Sequence, residues 1–168
     1  MHTPTLQAAD PRQWQQHRFG LGPERWERLR GRSFWITGAG TGLGQALSVA
    51  LGLAGSRVIL SGRREARLQE TIEQAASLGA DRQDFLVQPL DLLDTDAILT
   101  ACAAVTQACG RIDGLVHCAA LAPSGQRPLL EASPASWELL HKTNVEAAWL
   151  LSRTLLPQML QGPIRILL

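Results

Sequence analysis

Four glycines occupy alternate positions in the segment Thr37–Gly44, between a short apolar run and a run with helical character. Where a parallel strand turns into a helix, the free N–H groups and the dipole of the helix N-terminus bind phosphate, and a side chain would hold the phosphate away. We assign one role to each of three glycines. Gly38 supplies the sharp turn out of the strand, Gly42 lets the backbone approach the phosphate, and Gly44 lets the helix pack close to the sheet. The spacing predicts a nucleotide-binding loop. A tight turn whose glycines serve only positive φ is the alternative.

The elements around this loop alternate between short apolar runs and longer helical patterns. Strands are predicted at 33–37, 57–61, 84–90, 112–120 and 163–168, and helices near 42–54, 64–78, 94–109 and 134–160. Apolar strands separated by helices are typical of a parallel sheet that is covered on both faces. We therefore predict an α/β fold with a doubly wound parallel sheet, Rossmann-like and incomplete after the fifth strand.

The chain divides into an N-terminal extension, 1–30, and a nucleotide-binding domain, 31–168. The extension lacks sustained periodicity, although Pro23–Leu29 is compatible with two helical turns opened by proline. In the last predicted helix, Ser133 is expected to be the N-cap and Pro134 the first helical residue, with a bend or an end at Pro157.

Composition excludes several classes of protein. Sixteen Lys and Arg against fifteen Asp and Glu give a formal net charge of +1, which argues against nucleic-acid or anionic-membrane partners. Cys102, Cys109 and Cys118 are odd in number and lack CxxC spacing, so neither a disulfide framework nor a metal site is predicted. No signal peptide or membrane-spanning run is visible, and we expect a cytoplasmic protein.

Four motifs, in order along the chain, carry a resemblance to a known family. They are TGAGTGLG (37–44), LDL (90–92), IDGLVHCAA (112–120) and NVEAAWLLSRTLLPQM (144–159). The chain resembles the short-chain dehydrogenase/reductase family over residues 33–168. The resemblance implies a nicotinamide cofactor and hydride transfer to or from a small-molecule carbonyl or alcohol substrate.

The resemblance implies NADP as cofactor. In the family an acid after the second strand bonds the ribose 2′-OH of NAD, whereas an Arg pairs with the 2′-phosphate of NADP. Here Gly62, Arg63 and Arg64 follow the strand, with no acid before Glu65. NADP is favoured over NAD, with Arg63 as the main partner. The alternative is that these arginines form a solvated helix start.

The third-strand and fourth-strand motifs supply further expected cofactor contacts. The resemblance assigns Asp91 to the adenine side of the cofactor, while Asp94 is expected to cap the next helix. A strand-end or capping role for Asp91 is the alternative. In the fourth motif, Cys118 stands where the family has Asn and Ala120 replaces Gly, so only backbone contacts are expected there. His117 is expected to be packed rather than catalytic.

Asn144 is the one residue to which the resemblance assigns a catalytic role, because the family's Asn at this position holds a water that links the catalytic Lys to solvent. The alternative is an Asn on a helix face with access to solvent. The full set of predicted cofactor-binding residues is Gly38, Thr41, Gly42, Leu43, Gly44, Arg63, Arg64, Asp91, Leu92, Cys118, Ala119 and Ala120.

The family's Ser, Tyr and Lys of catalysis lie beyond the fifth strand, and this sequence contains no tyrosine. Two hypotheses follow. The first is an NADP-dependent oxidoreductase of the short-chain type, C-terminally truncated. The second is a non-catalytic nucleotide-binding or interaction module. In relatives the helix corresponding to 134–160 often packs against its copy, so a homo-oligomer is expected.

Overall fold

The computed structural model describes residues 23–122, 133–162 and 166–167. The helices are α1 Pro23–Glu27, α2 Gly42–Leu53, α3 Glu65–Ser77, α4 Thr95–Cys109, α5 Pro134–His141 and α6 Ala147–Met159, with a 3-10 turn at Arg82–Asp84 and a π-helical segment at Lys142–Glu146. The strands are β1 Ser33–Thr37, β2 Arg57–Gly62, β3 Phe85–Pro89, β4 Gly114–His117 and β5 Ile166–Leu167. The elements alternate as predicted.

The strands form one parallel sheet in the order β3-β2-β1-β4-β5. In the register of this sheet, Thr37 at the end of β1 pairs with Ser61 of β2 on one side and with His117 of β4 on the other. The chain winds outward from β1 to β3 and then returns to the far side of β1, so the strand order reverses between β1 and β4. Ligands of such sheets bind at this reversal point.

Alternation along the strands divides the hydrophobic core between the two faces of the sheet. Trp35, Ile59 and Leu115 pack on the face covered by α4 and α6. Phe34 and Ile36 pack on the opposite face, which α2 and α3 cover. Both faces are therefore apolar, as the prediction of a doubly wound sheet requires. This part of the fold prediction is confirmed.

A buried carboxylate ties the N-terminal edge of β1 to the segment that leads into β4. Asp113 accepts a hydrogen bond from the main-chain N–H of Ser33 at 2.9 Å and pairs with Arg111 and, at 3.6 Å, with Arg32. The Asp113 side chain is buried while both arginines remain partly exposed. The buried carboxylate of Asp113 therefore has both a hydrogen-bond donor and positively charged partners, which offset the cost of removing its charge from water.

The predicted helix starts are confirmed, and one helix differs. Ser133 caps α5 by accepting from the N–H of Ser136, and Pro134 is its first residue. Asp94 caps α4 by accepting from the N–H of Ala97. The helix predicted at 134–160 contains the π-helical segment 142–146, which apolar periodicity did not reveal, and it continues through Pro157 to Met159.

Strand β4 is shorter than the predicted 112–120. Beyond its end at His117, the N–H of Cys118 donates to the carbonyl oxygen of Thr37 at 3.2 Å and the N–H of Ala119 donates to the hydroxyl oxygen of Thr37 at 3.3 Å. Of the fifth predicted strand, residues 163–165 and 168 lie outside the described residues.

The last residues of the predicted extension contact the domain. Helix α1 begins at Pro23, as expected, and Leu29 packs against the core on the α2 and α3 face. The main-chain oxygen of Leu29 also accepts from the hydroxyl of Ser56 at 2.8 Å. Residues 1–22 lie outside the described residues, so the division at residue 30 stays a prediction. Across the described ranges, the search for a helix long and apolar enough to cross a membrane finds none.

Candidate cofactor-binding site

A cleft of about 290 Å³ opens at the carboxyl ends of β1, β2, β3 and β4, at the point where the strand order reverses. Strand ends of a parallel sheet converge here, so short loops that follow different strands become neighbours. The cleft is lined by Thr37, Gly38, Gly40, Thr41, Ser61, Gly62, Arg63, Arg64, Arg67, Leu68, Leu90, Asp91, Leu92, Leu93, Cys118, Ala119, Ala120, Leu121 and Thr143.

Gly38 and Gly44 allow the glycine loop to pack against the segment after β4. Gly38 has φ +69°, and a Cβ atom there would lie 2.6 Å from the main-chain nitrogen of Ala119. A Cβ on Gly44 would press into the carbonyl group of Gly38 and lie 3.1 Å from the Cβ of Cys118. The turn assigned to Gly38 and the close packing assigned to Gly44 are both observed.

Gly42 has a different environment, although its φ of +56° is also positive. Among the described residues, no atom outside the adjoining residues and the backbone of the same helix lies within 4 Å of the position that a Cβ would take. The missing side chain at Gly42 therefore leaves the loop backbone facing open space, and not a neighbouring helix or strand. This is the arrangement that close approach of a ligand requires.

The N-terminus of α2 offers unsatisfied donors. Thr41 is the N-cap residue, but its side chain makes no capping hydrogen bond, and the first turn contains no acidic residue. The first N–H groups of a helix have no partner within the helix, and the helix dipole places positive charge at this end. An anionic group at the loop would satisfy both.

The wall formed by the end of β2 and the start of α3 is positively charged. Arg63, Arg64 and Arg67 all line the cleft, and all three are exposed. The guanidinium group of Arg67 pairs with Glu70 at 2.6 Å. An acid that could accept from a ribose hydroxyl is absent between the end of β2 and Glu65.

Asp91 follows β3, the neighbour of β2, and forms a second wall of the cleft with Leu92 and Leu93 beside it. Its Oδ1 accepts from the main-chain N–H of Leu93 at 3.0 Å, which fixes the turn that follows β3. Asp94, not Asp91, caps α4. Asp91 therefore stabilises the turn at the end of β3 and also lines the cleft.

Cys118, Ala119 and Ala120 form the third wall. The backbone here is held by β1, since the N–H of Cys118 donates to the carbonyl oxygen of Thr37 at 3.2 Å. Burial raises the pKa of the Cys118 thiol, which keeps it protonated and makes it a poor nucleophile. Cys118 is thus a small, partly buried residue of this wall.

His117 is packed beneath the cleft and does not line it. Its Nε2 lies 3.2 Å from the hydroxyl oxygen of Ser152 on α6. Burial lowers the pKa of His117 to about 4, so the imidazole is neutral at pH 7. The prediction that His117 is packed is confirmed.

Asn144 fixes the main chain at the end of the third wall. Its Oδ1 accepts from the N–H of Leu121 at 2.8 Å, and its Nδ2 donates to the carbonyl oxygen of Leu121 at 2.9 Å. Asn144 lies in the π-helical segment, a feature that often marks functional sites. The residue itself does not line the cleft, whereas Leu121 does.

Of the predicted cofactor residues, the cleft brings together Gly38, Thr41, Arg63, Arg64, Asp91, Leu92, Cys118, Ala119 and Ala120. Gly42, Leu43 and Gly44 lie in the first turn of α2, next to Thr41, and Leu43 is 77% exposed. The assignment of all twelve residues to the cofactor stays a prediction.

Arg67 and Thr143 are two of the cleft residues that were not among the predicted site residues. Arg67 lies in the first turn of α3, three residues after the N-cap residue Arg64, so its closeness to the predicted arginines along the chain was a signal that could have identified it. Thr143 is buried and lines the cleft, and its hydroxyl has no hydrogen-bond partner among the described residues. Because buried polar groups are normally paired, this hydroxyl is available to a ligand or a water. No sequence signal identified it.

Comparison with known proteins establishes the family. The family model for short chain dehydrogenases matches residues 33–165. The chain is 33% identical over 138 residues to the short chain dehydrogenase mpl6 of Monascus purpureus, covering 80% of this chain and 47% of the relative. It is 34% identical over 151 residues to human dehydrogenase/reductase SDR family member 7, covering 89% of this chain and 42% of the relative.

Solved structures agree with this relationship. A metagenomic short-chain oxidoreductase in complex with NADP matches with a TM-score of 0.73 and 33% identity, over 82% of this chain and 62% of that structure. The chain belongs to the short-chain dehydrogenase family. It spans about half the length of the curated relatives that it matches.

The different environments of Gly38 and Gly42 predict different costs of adding a methyl group. Gly42→Ala meets only the left-handed backbone penalty, about 1 to 2 kcal/mol of unfolding free energy. Gly38→Ala meets the same penalty and a clash with the main chain of Ala119, together about 3 to 5 kcal/mol. Urea denaturation of the two variants measures the difference. Equal losses would contradict the packing of Gly38 against the β4 segment.

Proposed function

We propose that this chain forms the cofactor-binding part of an NADP-dependent short-chain dehydrogenase/reductase, which transfers hydride between nicotinamide and a carbonyl or alcohol substrate. The observation that carries the proposal is the cleft itself, where the glycine loop, Arg63 and Arg64 meet at the reversal point of the sheet. Membership of the short-chain dehydrogenase family supports the nicotinamide cofactor.

The residues present fit such a cofactor. Gly42 leaves open space beside the loop backbone, and the uncapped N-terminus of α2 offers N–H donors to a pyrophosphate. The unpaired hydroxyl of Thr143 offers a further polar contact inside the cleft. When bound, the cofactor would supply or accept the hydride, while these residues would bind and orient it.

The preference for NADP rests on charge. Arg63 and Arg64 place guanidinium groups on the wall after β2, the position from which a doubly wound fold reads the ribose 2′ substituent. A guanidinium group binds phosphate through several N–H donors. The metagenomic relative of known structure was crystallised with NADP, which supports the same choice here.

NADPH is expected to bind more tightly than NADH, because only NADPH carries the 2′-phosphate. A hydrogen bond to a charged group contributes about 1.5 to 3 kcal/mol, or roughly ten- to hundredfold in Kd. Fluorescence titration of both cofactors against the wild type and Arg63→Ala measures this preference. Arg63→Ala should weaken NADPH binding and leave NADH affinity unchanged, so the Kd for NADH divided by the Kd for NADPH should fall. Equal affinities in the wild type would overturn the assignment of NADP.

The catalytic step is expected to require groups that these 168 residues do not contain. A family-type reaction needs a phenol as general acid/base, and the sequence contains no tyrosine. We propose that Asn144 acts as a positioning residue, because both polar atoms of its side chain hold the main chain of Leu121 beside the cleft. His117 is neutral and packed away from the cleft, so it does not replace the phenol.

The 168-residue chain is therefore expected to bind NADPH without oxidising it. Missing acid/base help alone lowers a rate by about 10² to 10⁴. Absorbance at 340 nm with a panel of ketones, aldehydes and quinones tests this, with a catalytically active enzyme of the family as positive control. Turnover comparable to that of the positive control would mean that another residue of this chain supplies the proton.

We propose that the chain self-associates through the helix formed by α5, the π-helical segment and α6. Trp137, Val145 and Trp149 are exposed at spacings of eight and four residues, which places them on one side of a helix. The two tryptophans are 68% and 57% exposed. Large apolar side chains that are exposed together mark interaction sites in soluble proteins.

Sedimentation across a concentration series tests this association. The wild type is expected to form dimers or larger species, and Trp137→Ala combined with Trp149→Ala should shift the equilibrium toward monomer. Leu99→Ala, which removes an exposed apolar side chain from α4, is the control and should leave the equilibrium unchanged. A wild type that remains monomeric at high concentration would contradict the proposal.

A further inference from the structure

We propose that Arg67 is a third arm of the 2′-phosphate site and that Glu70 competes with the phosphate for its guanidinium group. The inference rests on the proposed preference for NADP. In this proposal Arg67 strengthens the preference for NADP, and Glu70 limits how much Arg67 contributes.

The position of Arg67 follows from its contact with the glycine loop. Arg67 lies in the first turn of α3 and lines the same cleft as Arg63, Arg64 and Thr41. A Cβ on Gly40 would lie 2.8 Å from the Cβ of Arg67. The missing side chain at Gly40 therefore lets the first turn of α3 lie against the loop, which brings the stem of Arg67 to the edge of the phosphate-binding backbone.

A hydrogen-bonded link holds α3 in this position. The hydroxyl of Thr71 donates to the carbonyl oxygen of Ala39 at 2.9 Å and lies 3.0 Å from the carbonyl oxygen of Arg67. Thr71 is fully buried. The backbone at Arg67 is thus tied to the loop, and only its side chain needs to move to reach a ligand in the cleft.

Glu70 holds that side chain in the described structure. The guanidinium group of Arg67 pairs with Glu70 at 2.6 Å, and the two side chains are 49% and 55% exposed. Exposed ion pairs between neighbouring turns of a helix contribute little free energy. A phosphate monoester carries more negative charge than a carboxylate, so it can displace Glu70 as the partner of Arg67.

The same helix provides a matched control. Glu73 pairs with Arg82 through both of its carboxylate oxygens, and neither residue lines the cleft. Removing the charge of Glu73 therefore changes the net charge of α3 as much as removing that of Glu70, without freeing an arginine of the cleft.

Four variants of the 168-residue chain test the inference: Arg67→Met, Glu70→Gln, the double variant and Glu73→Gln. Methionine retains an unbranched stem against Gly40, and NADH affinity reports whether the cleft is intact. Arg67→Met should weaken NADPH binding by about tenfold. Glu70→Gln should strengthen it by about two- to fivefold, because it releases an exposed ion pair. NADH affinity should change in neither variant.

The pattern among the variants separates the possible outcomes. Glu70→Gln should have no effect in the Arg67→Met background, because Glu70 acts through Arg67. An equal gain in that background, or the same gain in Glu73→Gln, would mean that general electrostatics is responsible and would overturn the role of Glu70. Unchanged NADPH affinity in Arg67→Met would overturn the role of Arg67. A wild type that binds NADPH and NADH equally would instead overturn the proposed cofactor preference.

Discussion

Close contact between the glycine loop and the segment after β4 is the constraint on which the site depends. Gly38 lies against the main chain of Ala119, and Gly44 lies against Gly38 and Cys118, in both cases with no space for a Cβ atom. This contact brings the first turn of α2 to the end of β4. Without it, the unsatisfied N–H groups of α2 and the wall formed by residues 118–121 would not face one cleft.

The remaining walls follow from the sheet. Parallel strands end at the same edge, so the arginines after β2 and the acid after β3 converge on the loop after β1 without long-range side-chain contacts. Polar bonds then fix the details. Thr71 ties α3 to Ala39, and Asn144 ties the π-helical segment to Leu121. The guanidinium groups after β2 and Asp91 after β3 line the same cleft from two neighbouring strands.

Sequence reasoning succeeded where one residue type has one physical use. The glycine spacing, the caps at Asp94 and Ser133 and the apolar run at 33–37 each predicted the observed local structure. It failed where tertiary contacts decide. The π-helical segment does not alter apolar periodicity enough to be seen, and Arg67 becomes part of the cleft only because Gly40 lets α3 approach. The apolar run at 112–120 continues beyond the observed end of β4 at His117, so apolar pattern alone did not place that end.

Backbone amide chemical shifts during titration with NADPH test the central claim most directly, because they report each wall of the cleft separately. The account predicts the largest changes at residues 38–44, 62–67, 91–93 and 118–121. With NADH, the changes at 62–67 should be much smaller while those at 38–44 remain. Changes that leave 38–44 unaffected, or that are confined to the exposed side of α5 and α6, would contradict the assignment of this cleft as the cofactor site.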